Sequence, residues 1–126
     1  MADLQGTTVV LADDHAIVRE GFASLCAANG MRVLGQCPDG PSAVETILAR
    51  EPDFAILDVN LAVESSFPVA HKLHELGIAF IFATGYGESA APPPNLAYAP
   101  VVAKPYRGPR LLTALAEAAR LREPPG

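Results

Sequence analysis

Basic residues are scarce in this chain. Nine lysines and arginines stand against 14 aspartates and glutamates, for a formal net charge of -5. Direct binding to nucleic acid needs a basic patch to meet the phosphates, and no such run is present. The same shortage argues against an anionic lipid surface. Long apolar runs are also missing: the longest, Ile78 to Ala83, is far short of the roughly 20 residues of a membrane span. The opening MADLQGTT has no apolar stretch of signal-peptide length, so the chain reads as cytosolic. Cysteine is limited to Cys26 and Cys37, which form no CxxC pair and fall on separate predicted elements. They read as two reduced, half-buried thiols. No internal repeat is present.

The remaining composition is that of a packed domain. Half of the residues are hydrophobic and 18 % are charged, a balance that supports a core and does not suit a disordered chain. A length of 126 residues fits one domain. The expectation is one domain over 1–126 with its core at about 7–121, no output domain and a monomeric state.

Apolar runs and helical stripes alternate along the chain. Thr8 to Ala12 is a β-rich run halted by Asp13-Asp14, as expected of a strand buried on both faces. A helix follows, with Ile17, Val18, Phe22 and Leu25 on its inner face and Asn29-Gly30 as its stop. Met31 to Cys37 is a second strand. Asp39-Gly40-Pro41 then offers an N-cap with a first-turn proline, and Ala43, Val44, Ile47 and Leu48 face inward behind it. Phe54 to Leu57 is a third strand ending on Asp58. Ser66-Phe67-Pro68 opens a helix with Val69, Ala70, Leu73 and Leu76 inward, and Gly77 stops it. Ile78 to Ala83 is a fourth strand ending on Thr84. Gly85 to Pro100 carries two glycines and four prolines. A proline inside a helix costs about 3 kcal/mol, so the fourth helix is expected to be short or disordered. Val101 to Ala103 is a short fifth strand, and Leu111, Leu112, Leu115 and Ala118 line a last helix. Such βα alternation gives a doubly wound parallel sheet, whose ligands sit beyond the carboxyl ends of the strands.

The residues at those ends carry the chemistry. Strand one ends in Asp13 and Asp14, strand three in Asp58, strand four in Thr84 and strand five in Lys104. Any one of the acids could merely cap a helix, as Asp14 could for the first. Together they predict one acidic crevice. Converging carboxylates repel one another, and a hard divalent cation relieves this; Mg²⁺ takes oxygen ligands and pairs carboxylates with phosphoryl groups. Lys104 would neutralise a phosphoryl oxygen and Thr84 would donate a hydrogen bond to another. These parts suit a carboxylate nucleophile attacking phosphorus.

Over essentially its full length the sequence resembles the receiver domain of two-component response regulators. The resemblance rests on Leu11-Ala12-Asp13-Asp14-His15, Ile56-Leu57-Asp58-Val59-Asn60, Thr84 and Lys104-Pro105. It implies a flavodoxin-like five-stranded sheet of order 2-1-3-4-5. It also implies Asp58 as phosphoacceptor, Mg²⁺ held by Asp13, Asp14, Asp58 and the backbone carbonyl of Asn60, and phosphoryl contacts from Thr84 and Lys104. The implied partner is a sensor histidine kinase or a histidine phosphotransfer protein, docking on a border that includes His15, Ala16, Arg19, Pro105 and Tyr106. A cis Lys104-Pro105 bond belongs to the same pattern. Phe80-Ile81-Phe82-Ala83-Thr84-Gly85-Tyr86 is further similar to the motif of the single-domain FAT GUY group. Leu61-Ala62 replaces the usual Met-Pro, and Val101 stands where most receivers carry an aromatic. The switch is therefore expected in Thr84 and Tyr86.

Other functions fit less well. A phosphohydrolase with an aspartyl-phosphate intermediate needs an acid two residues after the nucleophile, where Asn60 stands. A flavodoxin-like cofactor binder needs a phosphate-cradling loop after strand one, where Asp13-Asp14 would repel phosphate. The alternative of a non-phosphorylated receiver that only binds partners usually brings loss of the acceptor, the acids or the lysine, and all are present here. The expectation is a phosphoacceptor that catalyses its own phosphorylation and dephosphorylation, not an enzyme acting on other substrates. His15 is expected on the loop over the acidic crevice rather than in a transition-metal site, and His71 and His74 on a solvated helix face.

Overall fold

The computed structural model describes residues 4–61, 64–85, 92–103 and 108–122. The elements follow the expected alternation: β1 (Thr8–Ala12), α1 (Ala16–Ala28), β2 (Arg32–Cys37), α2 (Gly40–Arg50) and β3 (Phe54–Asp58). A two-residue hairpin comes next, β4 (Asn60–Leu61) with β5 (Glu64–Ser65). Then come α3 (Phe67–Leu76), β6 (Ala79–Thr84), a single 3₁₀ turn at Pro94–Leu96, β7 (Val101–Ala103) and α4 (Gly108–Arg122). The main sheet is parallel, in the order β2-β1-β3-β6-β7. With the small hairpin set aside, this is the 2-1-3-4-5 order of the flavodoxin-like receiver fold.

Strand alternation sorts the core into two layers. Val9, Leu11, Phe54, Ile56, Ile81 and Val102 pack toward α1 and α4. Val10, Ala12, Ala55, Leu57, Phe80 and Phe82 pack toward α2 and α3. Both faces of the central strands are thus covered, which is why those strands read as continuous apolar runs. β2 carries an irregularity: Val9 pairs with Val33 and Val10 with Gly35, so Leu34 is the extra residue. The shift turns Gly35 toward α2, where a Cβ would meet the Thr46 methyl at 2.7 Å. Any larger residue there would have to displace the Thr46 side chain.

The helix boundaries follow local chemistry. Asp39 caps α2 by accepting a hydrogen bond from the Ser42 N–H at 2.8 Å, which holds its carboxyl below the ordinary value. Gly77 ends α3 at φ 71°, a left-handed conformation that glycine adopts without strain. Between β6 and β7 the proline-rich stretch forms only the Pro94–Leu96 turn among the described residues.

Three inner-face assignments are corrected. Ile17 is 86 % exposed, Leu48 51 % and Leu76 44 %. In α1 the buried positions are Phe22 and Cys26, with Val18 and Leu25 packed at their margin. Ile17 instead joins the outer row of Gly21, Ser24 and Ala28, all exposed. The other two leucines likewise sit just beyond the edge of their stripes. Cys26 and Cys37 are free thiols, fully rather than half buried. Burial pushes the Cys26 thiol up to about 11.

Aromatic rings cross the α2–α3 layer in contact. Phe67 meets Phe82, Phe82 meets Phe80 and Phe80 meets Tyr98, each edge-on at centroid distances of 5.6, 5.6 and 5.8 Å. Phe82 is fully buried at the middle of this row. Phe82→Ala is expected to cost about 3–5 kcal/mol, read from denaturant unfolding. That is a large share of a domain stability of roughly 5–15 kcal/mol.

Candidate metal centre

The parallel sheet brings the carboxyl ends of β1, β3, β6 and β7 to one edge. Asp13 directly follows β1 and its N–H donates to the Cys37 carbonyl at 3.0 Å, tying it to the end of β2. Its side chain is buried, and Oδ1 accepts the His15 N–H at 2.9 Å. Asp14 follows with an exposed backbone position, and His15 is the N-cap residue of α1. Asp58 is the last residue of β3 and is 2 % exposed. Asp13 extends the Val9–Leu11 row and Asp58 the Phe54–Ile56 row, so both fall on the α1 side of the sheet.

Ligand atoms of Asp13, Asp14, His15 and Asp58 all lie within 4.8 Å of one another. Asp13 and Asp58 form a buried floor, and the mouth is formed by Asp14 and a His15 side chain that is 66 % exposed. Two carboxylates at about 4 Å repel by on the order of 4 kcal/mol at an effective dielectric constant of 20. A divalent cation removes that repulsion, and the donor set, dominated by carboxylate oxygen, fits a hard ion such as Mg²⁺. No metal is needed to explain how the loop is held. The Arg19 N–H donates to the His15 carbonyl at 2.9 Å, and Arg19 Nη1 donates to the Asp13 carbonyl at 2.6 Å.

Thr84 closes β6 at the same sheet edge, buried, and pairs with Ala103 of β7. It shares its strand face with Phe80 and Phe82, toward α2 and α3. Ala16 begins α1 and is exposed beside His15. Asn60 opens β4, whose partner residue is Ser65. The Val59 carbonyl just before it accepts from both the N–H and the hydroxyl of Ser66, at 2.9 and 3.2 Å. Sequence reasoning missed this hairpin and the Ser66 clasp. Lys104, Pro105 and Tyr106, with the expected cis bond, and Tyr86 lie outside the described residues.

His71 and His74 were expected on a solvated face, and both make specific contacts. His74 Nδ1 lies 3.0 Å from the Tyr98 hydroxyl, and His71 Nδ1 lies 3.3 Å from Asn95 Nδ2. A cavity of about 200 Å³ lined by His74, Gly77, Ile78, Tyr98 and Leu121 opens at the amino end of β6, away from the acids. No described helix is long and apolar enough to cross a membrane.

The family model of the response regulator receiver domain matches residues 9–116. The chain belongs to the receiver domain family of response regulators. Among solved structures, the solution structure of SdrG from Sphingomonas melonis is similar, with a TM-score of 0.80, 27 % identity, and coverage of 94 % of this chain and 98 % of that one. The signal receiver domain of NarL from Mycobacterium tuberculosis gives a TM-score of 0.71 at 25 % identity, covering 92 % of this chain and 98 % of that one. In sequence, the oxygen regulatory protein NreC of Staphylococcus epidermidis is 36 % identical over 69 residues, 53 % of this chain and 32 % of NreC. The transcriptional regulatory protein NarL of Mycobacterium tuberculosis is 33 % identical over 85 residues, 65 % of this chain and 39 % of NarL. The match thus spans about a third of the length of such regulators. In this receiver the acidic cluster stands at the carboxyl edge of the sheet, where ligands of open α/β folds bind.

Proposed function

We propose that this receiver accepts a phosphoryl group on Asp58 from a phosphohistidine of a sensor kinase or phosphotransfer protein. The convergence of Asp13, Asp14 and Asp58 at one sheet edge carries this reading. A carboxylate oxygen of Asp58 attacks phosphorus, forming the new O–P bond. The donor's N–P bond breaks, and its electron pair stays on the imidazole nitrogen, which takes up a proton. Asp13, Asp14, Asp58 and the Asn60 carbonyl would hold Mg²⁺, which when bound offsets the charge of the phosphoryl oxygens. Lys104 neutralises a second oxygen and Thr84 donates to a third. Burial of Asp58 on the floor fixes the attacking oxygen, and catalysis is positioning plus charge neutralisation. The protein is in this sense a substrate that assists its own modification. Acetyl phosphate with Mg²⁺ is expected to add one phosphoryl group per chain, measured by intact mass. Labelling that persists undiminished after chelation of divalent ions would contradict the metal-dependent site.

The exposed His15 and Ala16 at the start of α1, with the part-buried Arg19 beside them, would form the donor docking border together with Pro105 and Tyr106. A phosphotransfer profile against the histidine kinases of the source organism identifies the donor. The protein would act in the cytosol, as a receiver similar to the FAT GUY group, in signalling, phosphorelay or as a phosphate sink.

The output switch would run through Thr84 and Tyr86. Val101 is part-buried opposite Phe82 in β7 and has no polar tip to report a change at the site. Tyr86 stands between Gly85 and Gly87 in the sequence, where wide backbone torsions are open. Tyr86→Ala is expected to leave phosphorylation of Asp58 intact and to abolish the difference in partner binding between the two states. A variant that still distinguishes them as the wild type does would place the switch elsewhere.

A further inference from the structure

We infer that His15 is a further ligand of the acidic site, beside Asp13, Asp14, Asp58 and the Asn60 carbonyl, and that its imidazole shifts the site's preference from magnesium toward transition divalent cations. This deepens the proposed function and rests on the reading of the cluster as a divalent-cation site. His15 Nδ1 lies 3.1 Å from Asp14 Oδ1, 3.3 Å from Asp13 Oδ1 and 4.0 Å from Asp58 Oδ2. In a six-coordinate ion with bonds of about 2.1 Å, neighbouring ligand atoms stand about 3.0 Å apart and opposite ones about 4.2 Å apart. The two short separations match edges of such an octahedron, and the long one matches its diagonal. The imidazole nitrogen thus stands at ligand spacing from each of the three carboxylates, and all four ligand atoms lie within 4.8 Å of one another.

Backbone geometry explains how the ring reaches this place. His15 holds the N-cap position of α1 in an extended conformation, φ -94° and ψ 104°, yet its side chain makes no capping bond to the helix. The ring is thus not engaged by the helix end. Its own N–H donates to Asp13 Oδ1, and Arg19 fastens the loop through the carbonyls of Asp13 and His15. An all-oxygen site selects Mg²⁺, Ca²⁺ or Mn²⁺, whereas an imidazole nitrogen raises affinity for Fe²⁺, Co²⁺, Ni²⁺ or Zn²⁺. The competing role for the same geometry is a counter-ion: a ring that fills the place of the metal and must leave when the metal arrives.

The two roles make opposite forecasts for His15→Ala. The ring is 66 % exposed, so the variant is expected to fold, which a thermal melt verifies. Mg²⁺ and Co²⁺ affinities are measured by calorimetry on wild type and variant, so that any Co²⁺ held by His71 or His74 contributes equally to both. Pulsed EPR of bound Mn²⁺ reads directly coordinated nitrogen. A ligand role requires the Co²⁺/Mg²⁺ affinity ratio to fall by about tenfold or more in the variant, with a nitrogen coupling present in wild type and lost in the variant. An unchanged ratio overturns the inference, as does tighter Mg²⁺ binding in the variant without nitrogen coupling in wild type. In those cases Mg²⁺ binding itself survives, so the reading of the site stands. If wild type binds no divalent ion, both the reading and the inference fall.

Discussion

Asp58→Asn is expected to reduce phosphorylation by acetyl phosphate to background, a loss of at least about a hundredfold, because an amide oxygen is no nucleophile toward phosphorus. The replacement is nearly isosteric at a residue 2 % exposed, so the fold should survive it. The neighbouring acids cannot readily take over. Asp13 Oδ1 already accepts the His15 N–H, and Asp14 stands at the mouth rather than on the floor. Full labelling of the variant, by intact mass, would remove Asp58 from the mechanism.

Asp14→Ala is expected to weaken Mg²⁺ binding by roughly 10–100-fold, the range seen when a site loses a supporting group or more. The same substitution should act in the opposite direction on the metal-free protein. Asp14 lies within 4.8 Å of two buried carboxylates, and removing one negative charge relieves repulsion. Relief of about 1 kcal/mol would raise Tm by roughly 3–6 °C for a domain of this size. Saturating Mg²⁺ then reverses the order, because a ligand at a hundred times its Kd stabilises the wild type by about 2.7 kcal/mol. Crossing of the two Tm series with added Mg²⁺ is the signature. Equal Mg²⁺ affinity in the two proteins would exclude Asp14 from the site.

The three central strands β1, β3 and β6 were legible in the sequence because each is covered on both faces, so that burial writes an unbroken apolar run. The strand order followed from the family resemblance and agrees with the structure. Helix faces were legible only to within one residue. Ile17, Leu48 and Leu76 adjoin true core positions, and composition alone does not say which side of the stripe a leucine or isoleucine takes. The hairpin of Asn60–Leu61 with Glu64–Ser65 left no trace, since two-residue strands show no periodicity. At the site, the strand-end rule brought Asp13, Asp14 and Asp58 together correctly. The sequence also placed His15 on the loop over the crevice, but not its ring at 3.1–3.3 Å from Asp14 and Asp13, because that depends on a backbone turn held by Asp13 and Arg19. The Ser66 hydroxyl on the Val59 carbonyl was equally hidden, although a serine before Phe67-Pro68 had marked the helix start.

The measurement closest to the central claim is the location of the phosphoryl group itself. The wild-type protein is treated with acetyl phosphate and Mg²⁺, the acyl phosphate is reduced with borohydride, and the peptides are mapped by mass spectrometry. Reduction converts a phosphorylated aspartate to homoserine, and the account requires homoserine at position 58 and nowhere else. Homoserine at position 13 or 14, or at no position in a protein that has gained phosphate, would contradict it.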